Sequence, residues 1–239
     1  MRRSILQVVG GRSFRWLLGH GWLILLLVLS GCITIEENYS FRKDGSGQME
    51  YVVDLTVMGE MMKDLGSMMG NEGKEKDKVS VSEFMDMSER IPALKKVGGV
   101  SKVKLKKEKS GHVQRVSFRF KDLNALNAAL NVLMPDSTGN AHKFFAWDGE
   151  TLVRTTNKGA TTLGGDAPPD EEGEGADEVL KSMHYKFAFT FQSEIADASL
   201  PEGVQRSAPS PKQLRTDTDW SVIMRDPHAL DFRITLAGR

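Results

Sequence analysis

The residues that could support catalysis or metal binding are few and widely spaced in this chain of 239 residues. Its five histidines are His20, His112, His142, His184 and His228. Zinc sites that are local in sequence need His or Cys side chains a few positions apart, and neither an HExxH motif nor a second cysteine is present. Glycine-rich phosphate-binding patterns are also absent. The sequence therefore predicts no metal site, no cofactor and no enzymatic activity.

A catalytic site assembled from distant residues is the alternative. Such a hydrolase would have a cleft in which a histidine lies near an acid or a serine. Asp217 and Asp219 form an acidic pair, but no further ligands follow them at the spacing of a calcium-binding loop. We interpret this pair as a solvated turn.

The only cysteine, Cys32, directly follows a short apolar segment near the N-terminus. Residues 1–15 contain four arginines and no acidic residue, and residues 16–29 are mostly apolar. This apolar segment has 14 residues, whereas a membrane-spanning helix needs about 20. A basic segment, a short apolar segment and small residues before a cleavage position are typical of a secretory signal peptide. We therefore predict a signal peptide over residues 1–31 rather than a spanning anchor.

The sequence Leu29-Ser30-Gly31-Cys32 resembles the lipobox of bacterial lipoproteins. This resemblance implies that the lipoprotein signal peptidase recognises Leu29, Ser30 and Gly31 and cleaves after Gly31. It also implies that Cys32 carries a diacylglyceryl thioether and an N-linked acyl chain such as palmitate. One acyl chain holds a protein marginally and several hold it stably, so Cys32 would be a lasting membrane anchor. Ile33 follows in place of Asp, which by analogy with known sorting rules implies the outer membrane, on its periplasmic or surface face.

The charge of residues 32–239, which follow the predicted signal peptide, limits the classes of partner that this chain could bind. Without residues 1–31 it has 28 basic and 32 acidic residues, a net charge of −4. An acidic chain has no general attraction to nucleic acid, so we exclude nucleic acid as a partner. Hydrophobic residues make up 40% of the sequence, which is ordinary for a globular domain.

Alternating apolar residues predict a β-hairpin directly after Cys32. Odd positions are mostly apolar in the segments 33–41 and 49–55, and a DGSG turn signal separates them. Glu36 and Glu37 near the predicted anchor fit an export signal and exposed residues of the first strand equally well. Because no flexible tether separates Cys32 from this hairpin, we expect the folded domain to lie close to the bilayer surface.

A methionine-rich segment, residues 57–69, follows the hairpin and has the periodicity of an amphipathic helix. Its candidate binding face consists of Met58, Met61, Met62, Leu65 and Met69. Such a stripe either packs into a protein core or, because methionine side chains adapt to varied surfaces, binds a partner or an apolar ligand. The sequence leaves both interpretations open.

The remaining segments predict one α+β domain over residues 32–239, with a mostly antiparallel sheet and two or three amphipathic helices packed on one face. Further helices are predicted at 81–96 and 123–134. Further strands are predicted at 100–109, 112–120, 144–147, 151–155, 185–191, 220–224 and 230–236. Loops are predicted at 201–217 and at 157–177, the second being acidic and interpreted as disordered.

Seven lysines cluster in one part of the sequence. They are Lys95, Lys96, Lys102, Lys104, Lys106, Lys107 and Lys109. They would contact anionic lipid headgroups, or they form the solvent face of a strand, since several of them alternate with apolar residues. We favour the solvent face.

This arrangement resembles the uncharacterised bacterial lipoproteins that include the LppM-like group. The residues that match are Gly31-Cys32, the strand–turn–strand segment Phe41–Leu55 and the aromatic strand Tyr185–Phe191. The resemblance implies an envelope α+β domain with a mostly antiparallel sheet and suggests a lipid-binding-like fold. It carries no active-site residues that could be transferred to this chain.

We therefore expect a lipid-anchored envelope lipoprotein that acts as a non-enzymatic binding or scaffolding module at the membrane surface. Its partners would be the membrane, through acylated Cys32, and an unknown envelope protein or lipid. The alternative function is a carrier or binder of an apolar ligand such as a lipid, which requires a sizeable enclosed cavity.

Overall fold

Strands dominate the part of the chain that the structure describes. This computed structural model describes residues 33–68, 86–136, 139–156 and 174–238. The strands are β1 (Thr34–Phe41), β2 (Gly47–Asp54), β3 (Val100–Glu108), β4 (Val113–Phe120), β5 (Phe145–Asp148), β6 (Thr151–Arg154), β7 (His184–Phe191), β8 (Glu194–Ser199), β9 (Gln205–Ser210), β10 (Gln213–Asp219) and β11 (Phe232–Ala237). The α-helices are α1 (Thr56–Met68), α2 (Ile91–Lys95), α3 (Leu123–Leu133), α4 (Glu174–Lys181) and α5 (Trp220–Arg225). Short 3₁₀ helices cover Met87–Arg90 and Lys109–Gly111.

Seven strands form the larger sheet, in the order β3-β4-β2-β1-β7-β10-β9. Neighbouring strands are antiparallel except β1 and β7, which run parallel. Thr34 at the start of β1 lies opposite Asp54 at the end of β2 and opposite His184 at the start of β7. These three residues mark one end of the sheet, which we call the entry end because the chain enters the sheet there.

The turn between β1 and β2 is specified by its own residues. Gly45 has a φ of 83°, which a residue with a side chain rarely adopts. The Asp44 carboxylate accepts a hydrogen bond from the backbone N–H of Ser46 at 2.9 Å, a local contact that favours a turn. The DGSG motif therefore forms the turn that the sequence predicts.

The core lies between the larger sheet and a layer made of the smaller sheet, in the order β5-β6-β11-β8, with helices α3 and α5. Aromatic rings fill much of this space. The ring of Tyr39 stacks on that of Phe189 with centroids 5.2 Å apart, and Phe187 meets Phe232 edge-on at 5.2 Å. The alternating aromatic positions of β1 and β7 thus supply the inner face of the sheet.

Side-chain caps explain where two helices begin. The Asp122 carboxylate accepts from the backbone N–H of Ala125 at 2.9 Å at the start of α3. Asp219 accepts from the backbone N–H of Val222 at 3.2 Å at the start of α5. Asp219 is therefore a helix cap, and the solvated turn predicted for the Asp217–Asp219 pair is wrong.

Several predicted elements differ from the structure. The predicted loop at 201–217 contains β9 and most of β10, and the predicted strand at 220–224 is the helix α5. The predicted loop at 157–177 ends inside α4, which begins at Glu174, and its residues 157–173 lie outside the described residues.

The helix predicted at 81–96 is not one continuous helix over its described residues, 86–96. Residues 81–85 lie outside the described residues, and the rest forms a 3₁₀ turn followed by the five-residue helix α2. Pro92 lies in the first turn of α2, where its missing N–H costs no helical hydrogen bond.

The solvent exposure of Glu37 differs most clearly from the prediction. One of the two interpretations of Glu37 from the sequence makes it an exposed strand residue, but its side chain is 0% exposed. Glu37 occupies an inward position of β1 between Ile35 and Tyr39, so its carboxylate enters the core.

The α+β fold with a mostly antiparallel sheet, predicted from the sequence, is confirmed, and a second sheet of four strands adds to it. Among the described residues, no helix combines the length and the apolar character needed to cross a membrane.

Candidate binding cleft

An open polar cleft lies on the face of the larger sheet that points away from the core. Strands β1, β7, β9 and β10 form it, and its volume is about 540 Å³. The lining residues are Glu36, Asn38, Lys186, Phe187, Ala188, Gln205, Arg206, Ser207, Arg215, Thr216 and Asp217. This volume suits a small ligand or a few residues of a peptide, but the charged lining differs from the apolar lining of most small-molecule sites.

Strand pairing brings the charged groups of the cleft together. Lys186 lies opposite Glu36 on one neighbouring strand and opposite Asp217 on the other. The Lys186 Nζ is 3.6 Å from Asp217 Oδ2, and the His184 Nδ1 is 2.8 Å from Asp217 Oδ1. Asp217 is thus held between two basic side chains at the side of the cleft toward the entry end.

Two charged side chains of the cleft have no such partner. Within the described part of the chain, neither Glu36 nor Arg215 takes part in a side-chain hydrogen bond or an ion pair. Arg206, on the outermost strand, donates one hydrogen bond to the carbonyl oxygen of Ala198 at 3.2 Å. The cleft therefore offers an acidic and a basic group, Glu36 and Arg215, to a ligand.

A backbone irregularity and a small side chain make room for the cleft. The pairing of β9 with β10 shifts register between Gln213 and Arg215, and such a bulge bends and twists a strand. Ala188 lies between Asn38 and Arg215 in the register of the sheet, and its methyl group leaves space on the outer face.

A buried charged network lies on the opposite face of the same strands. Arg154 of β6 pairs with Glu37 of β1 at 3.2 Å, and both side chains are almost fully buried. The hydroxyls of Tyr39 and Tyr185 donate to the Glu37 carboxylate. The Arg154 guanidinium also lies 4.3 Å from the ring centroid of Phe187, within range of a cation–π contact.

Burial and charge shift the pKa values within this network. Burial raises the pKa of both Tyr39 and Tyr185 well above the ordinary value, and the nearby Glu37 carboxylate raises it further. Burial opposes the charge of Arg154, yet the Glu37 carboxylate raises the pKa of its guanidinium. Both tyrosines therefore stay protonated as donors, and Arg154 stays charged. The network ties β1 and β7, which carry half of the cleft, to the smaller sheet.

The cleft has part of what the hydrolase alternative requires. His184 lies beside Asp217, but in the described part of the chain no hydroxyl group is bonded to the second ring nitrogen of His184. The described residues also contain no cluster of three His, Cys, Asp or Glu side chains that could hold a metal ion. Among the described residues, the cleft thus presents charged side chains, and the His184–Asp217 pair has no bonded hydroxyl group beside it.

The residues predicted to carry the lipid anchor are not tested by the structure. Cys32 and the recognition residues Leu29, Ser30 and Gly31 lie outside the described residues. The described chain begins at Ile33, immediately before β1.

The predicted methionine face is described only in part. Met58 is half-buried and Met61 is 55% exposed. Met62 and Leu65 belong to α1, but their side chains lie outside the description, as does all of Met69. The two interpretations of this stripe, core or binding surface, both stay open.

The lysine cluster is spread over the end of helix α2, strand β3 and the short 3₁₀ helix that follows β3. Lys104 and Lys106 lie opposite Ser117 and Arg115 on the exposed face of the larger sheet, as the solvent-face interpretation expects. Lys109 lies beyond the end of β3, where its Nζ donates to Thr56 at 3.4 Å.

The sequence analysis missed the cleft. Glu36, Asn38, Lys186 and Ala188 occupy outward positions of strands that the sequence predicts, but the predicted loop at 201–217 covers β9 and most of β10. The available signal was the alternation of Leu214 with polar residues in β10, which is weak because its other inward residues are threonines.

Comparisons with known proteins give one distant likeness. No known protein family matches the chain, and no curated protein matches it. Among solved structures, the folded domain of LppM from Mycobacterium tuberculosis, determined by NMR, is similar with a TM-score of 0.40 and 9% sequence identity. The similarity covers 87% of this chain and 90% of that domain.

Proposed function

We propose that this chain is a lipid-anchored envelope protein that binds a segment of a partner protein through the polar cleft, without catalysing a reaction. The observation that carries the proposal is the cleft itself, with Glu36 and Arg215 free to pair with groups of a ligand. A peptide segment with one acidic and one basic side chain matches this pair of charges. Paired charges of this kind fix orientation and exclude wrong partners more than they add affinity.

The proposed lipid anchor would confine this binding to the membrane surface. In the proposed mature protein Cys32 is acylated and held in the outer membrane, so the domain is confined to a surface. Confinement raises the effective concentration of the cleft toward partners at the same membrane. A scaffolding role follows, because modest affinity suffices when both partners are held nearby.

Carriage of an apolar ligand is less well supported. The inner face of the larger sheet is filled by stacked aromatic rings, and the described cleft is lined by charged and polar groups. Native mass spectrometry of the protein purified from its membrane separates the two functions. A bound lipid-sized mass, beyond the lipid on Cys32, would favour the carrier, and a chain without one favours the binding module.

The anchor is tested by replacing its cysteine. Cys32→Ala should move the protein from the membrane fraction to the soluble fraction, and mass spectrometry of the unsubstituted protein should show the acylated cysteine. An uncleaved Cys32→Ala protein that stays in the membrane would instead indicate a spanning anchor.

The cleft is tested in cells by cross-linking. A photo-reactive phenylalanine analogue at Ser207, an exposed residue of the cleft, should give a discrete cross-linked protein. Ala188→Phe, which fills the cleft, should abolish this product. Thr190→Phe is the matched control, because Thr190 is an exposed residue outside the cleft two positions further along β7. A product that survives in both variants, or none in the unsubstituted protein, contradicts the proposal.

A further inference from the structure

Three helices connect to the larger sheet at its entry end. The helix α1 starts two residues after Asp54, and α4 ends three residues before His184. The helix α5 starts directly after Asp219, which pairs with His184. All three helices therefore join the sheet at the end where Thr34 begins β1.

Local contacts hold these helices at the entry end. The backbone N–H of Leu55, just before α1, donates to the carbonyl of His112 at 2.8 Å. Within α1, Gly59 approaches His112 so closely that a Cβ there would lie 2.7 Å from the imidazole. Likewise the backbone N–H of Trp220 donates to Met183 at 3.0 Å, linking the start of α5 to the residue before β7.

The exposed large apolar side chains of the described chain all belong to these three helices. They are Met61 on α1, Val179 on α4 and Met224 on α5, which are 55%, 50% and 38% exposed. A single exposed apolar residue is ordinary in a folded protein. Here all three belong to helices that join the same end of the larger sheet, and a grouping of this kind is typical of a contact surface. That end is also the one at which residue 33 connects to the segment bearing Cys32.

The charges at this end do not favour attraction to acidic lipids. The exposed basic residues on or beside these helices include Lys63, Lys109 and Arg225. The exposed acidic residues include Glu60 and Glu178, and Lys181 pairs with Asp177 at 2.5 Å. A surface whose basic and acidic side chains nearly cancel, and from which apolar side chains protrude, gains free energy mainly by burying those apolar side chains at the headgroup boundary.

We propose that the entry end of the sheet is the membrane-contact surface of this protein, with Met61, Val179 and Met224 inserted at the headgroup level of the bilayer. This inference rests on the proposed function, since the anchor at Cys32 supplies the proximity. Only one residue, Ile33, lies between Cys32 and β1, so the entry end would meet the bilayer. The polar cleft, which lies on a face of the sheet and not at its end, would then open parallel to the membrane surface.

Tryptophan variants in vesicles test the contact. The full chain is purified from its membrane and reconstituted into phosphatidylcholine vesicles whose lipids carry bromine near the headgroup. If Cys32 carries a free thiol instead of lipid, that thiol is the only one in the chain and is coupled to a maleimide lipid. The protein therefore reaches the vesicle surface whether or not it is acylated in cells.

The readout is the loss of fluorescence that each new tryptophan adds over the unsubstituted chain. Met61→Trp and Val179→Trp should be quenched by the brominated lipids. Lys121→Trp is the control, because Lys121 is 70% exposed and follows β4 at the opposite end of the sheet. Adding Met61→Glu to Val179→Trp should reduce the quenching, since a carboxylate disfavours insertion of the shared surface.

Equal quenching at positions 61, 179 and 121 would overturn the proposal, as would an absence of quenching at all three. The state of Cys32, read by mass spectrometry on the same sample, reports the proposed anchor separately. Failure of the contact surface and failure of the anchor are thus distinguishable.

Discussion

Glu37 and Arg154 form an ion pair of 3.2 Å across the core, with side chains that are 0% and 1% exposed. The pair joins β1 of the larger sheet to β6 of the smaller one. Burying two charges costs more than their attraction returns unless hydrogen bonds satisfy both groups. Here the hydroxyls of Tyr39 and Tyr185 donate to the carboxylate, and Arg154 donates to the carbonyl of Leu230 at 2.7 Å. The Arg154 Nε is buried without a hydrogen-bond partner among the described residues. The pair and its hydrogen bonds therefore connect the two sheets through the core.

We expect Glu37→Gln to destabilise the protein by about 3–5 kcal/mol, because it leaves Arg154 buried without a counter-charge. Replacing both residues, as Glu37→Gln with Arg154→Met, should cost less than the sum of the two single changes. Urea denaturation measures each free energy of unfolding.

The exposed pair Lys106–Glu108, at 2.7 Å, is the control for this cycle. Its side chains are 73% and 34% exposed, so Glu108→Gln should change the free energy of unfolding far less than Glu37→Gln does. Additive effects of Glu37→Gln and Arg154→Met would contradict the coupling.

Gly47 provides a second test of packing. A Cβ at this position would lie 2.1 Å from the carbonyl oxygen of Ser40 and 2.4 Å from the ring of Phe120. Because the first clash is with backbone, Gly47→Ala should destabilise by about 1–3 kcal/mol. Gly98→Ala, where nothing lies within 4 Å of the added Cβ, is the matched control and should have little effect. Equal unfolding midpoints for the two variants would refute this explanation.

Regular alternation of apolar and polar residues allows β1, β2, β4 and β7 to be predicted from the sequence. Their inward positions are almost all large and apolar, so local pattern and tertiary burial agree. Strand β9 has no such signal, because five of its six residues are exposed. The short apolar segment of α5 fits a strand or a helix equally well by pattern, and only its capping residue, Asp219, distinguishes them.

The cleft and the Glu37 network depend on pairings between distant segments. Lys186 meets Glu36 because β7 runs parallel to β1, about 150 residues away in sequence, and no local pattern encodes that neighbour. Glu37 did carry a signal, since it stands at an inward position of a regular alternation. A charge at such a position predicts either a break in the strand or a buried partner, and the structure has the partner.

His228 and Asp231 allow a direct measurement of one side-chain interaction. The Asp231 carboxylate lies 2.8 Å from the His228 Nδ1, and through its hydrogen bond and charge it raises the pKa of that histidine. A raised pKa means that the interaction is fully present below the ordinary histidine value and is lost as pH rises through the higher folded value. NMR titration should show Asp231→Asn lowering the pKa of His228. Asp226→Asn should lower it less, because Asp226 contributes the smallest of the effects that raise it.

The stabilisation contributed by Asp86 depends on pH in the direction opposite to that of the His228–Asp231 interaction. Hydrogen bonds from Lys107 Nζ at 2.9 Å and from the backbone N–H of Ser88 at 2.8 Å lower the pKa of its carboxyl group to about 2. A lowered pKa means that the stabilisation is complete above the unfolded value of about 3.9 and disappears as pH falls through the folded value. The side chain of Asp86 is 32% exposed, so solvent screening limits the effect to about 1 kcal/mol or less.

The corresponding experiment compares the unsubstituted protein with Asp86→Asn by urea denaturation at several pH values. Asp86→Asn should be less stable at pH 6, and the difference should shrink as the pH approaches 2, where the native carboxyl group also becomes neutral. Lys107→Gln should remove most of the same pH dependence, since its ammonium group is the largest cause of the lowered pKa. A stability difference for Asp86→Asn that stays constant from pH 6 to pH 2 would show that the carboxylate charge contributes nothing and that Asp86 acts only through its shape.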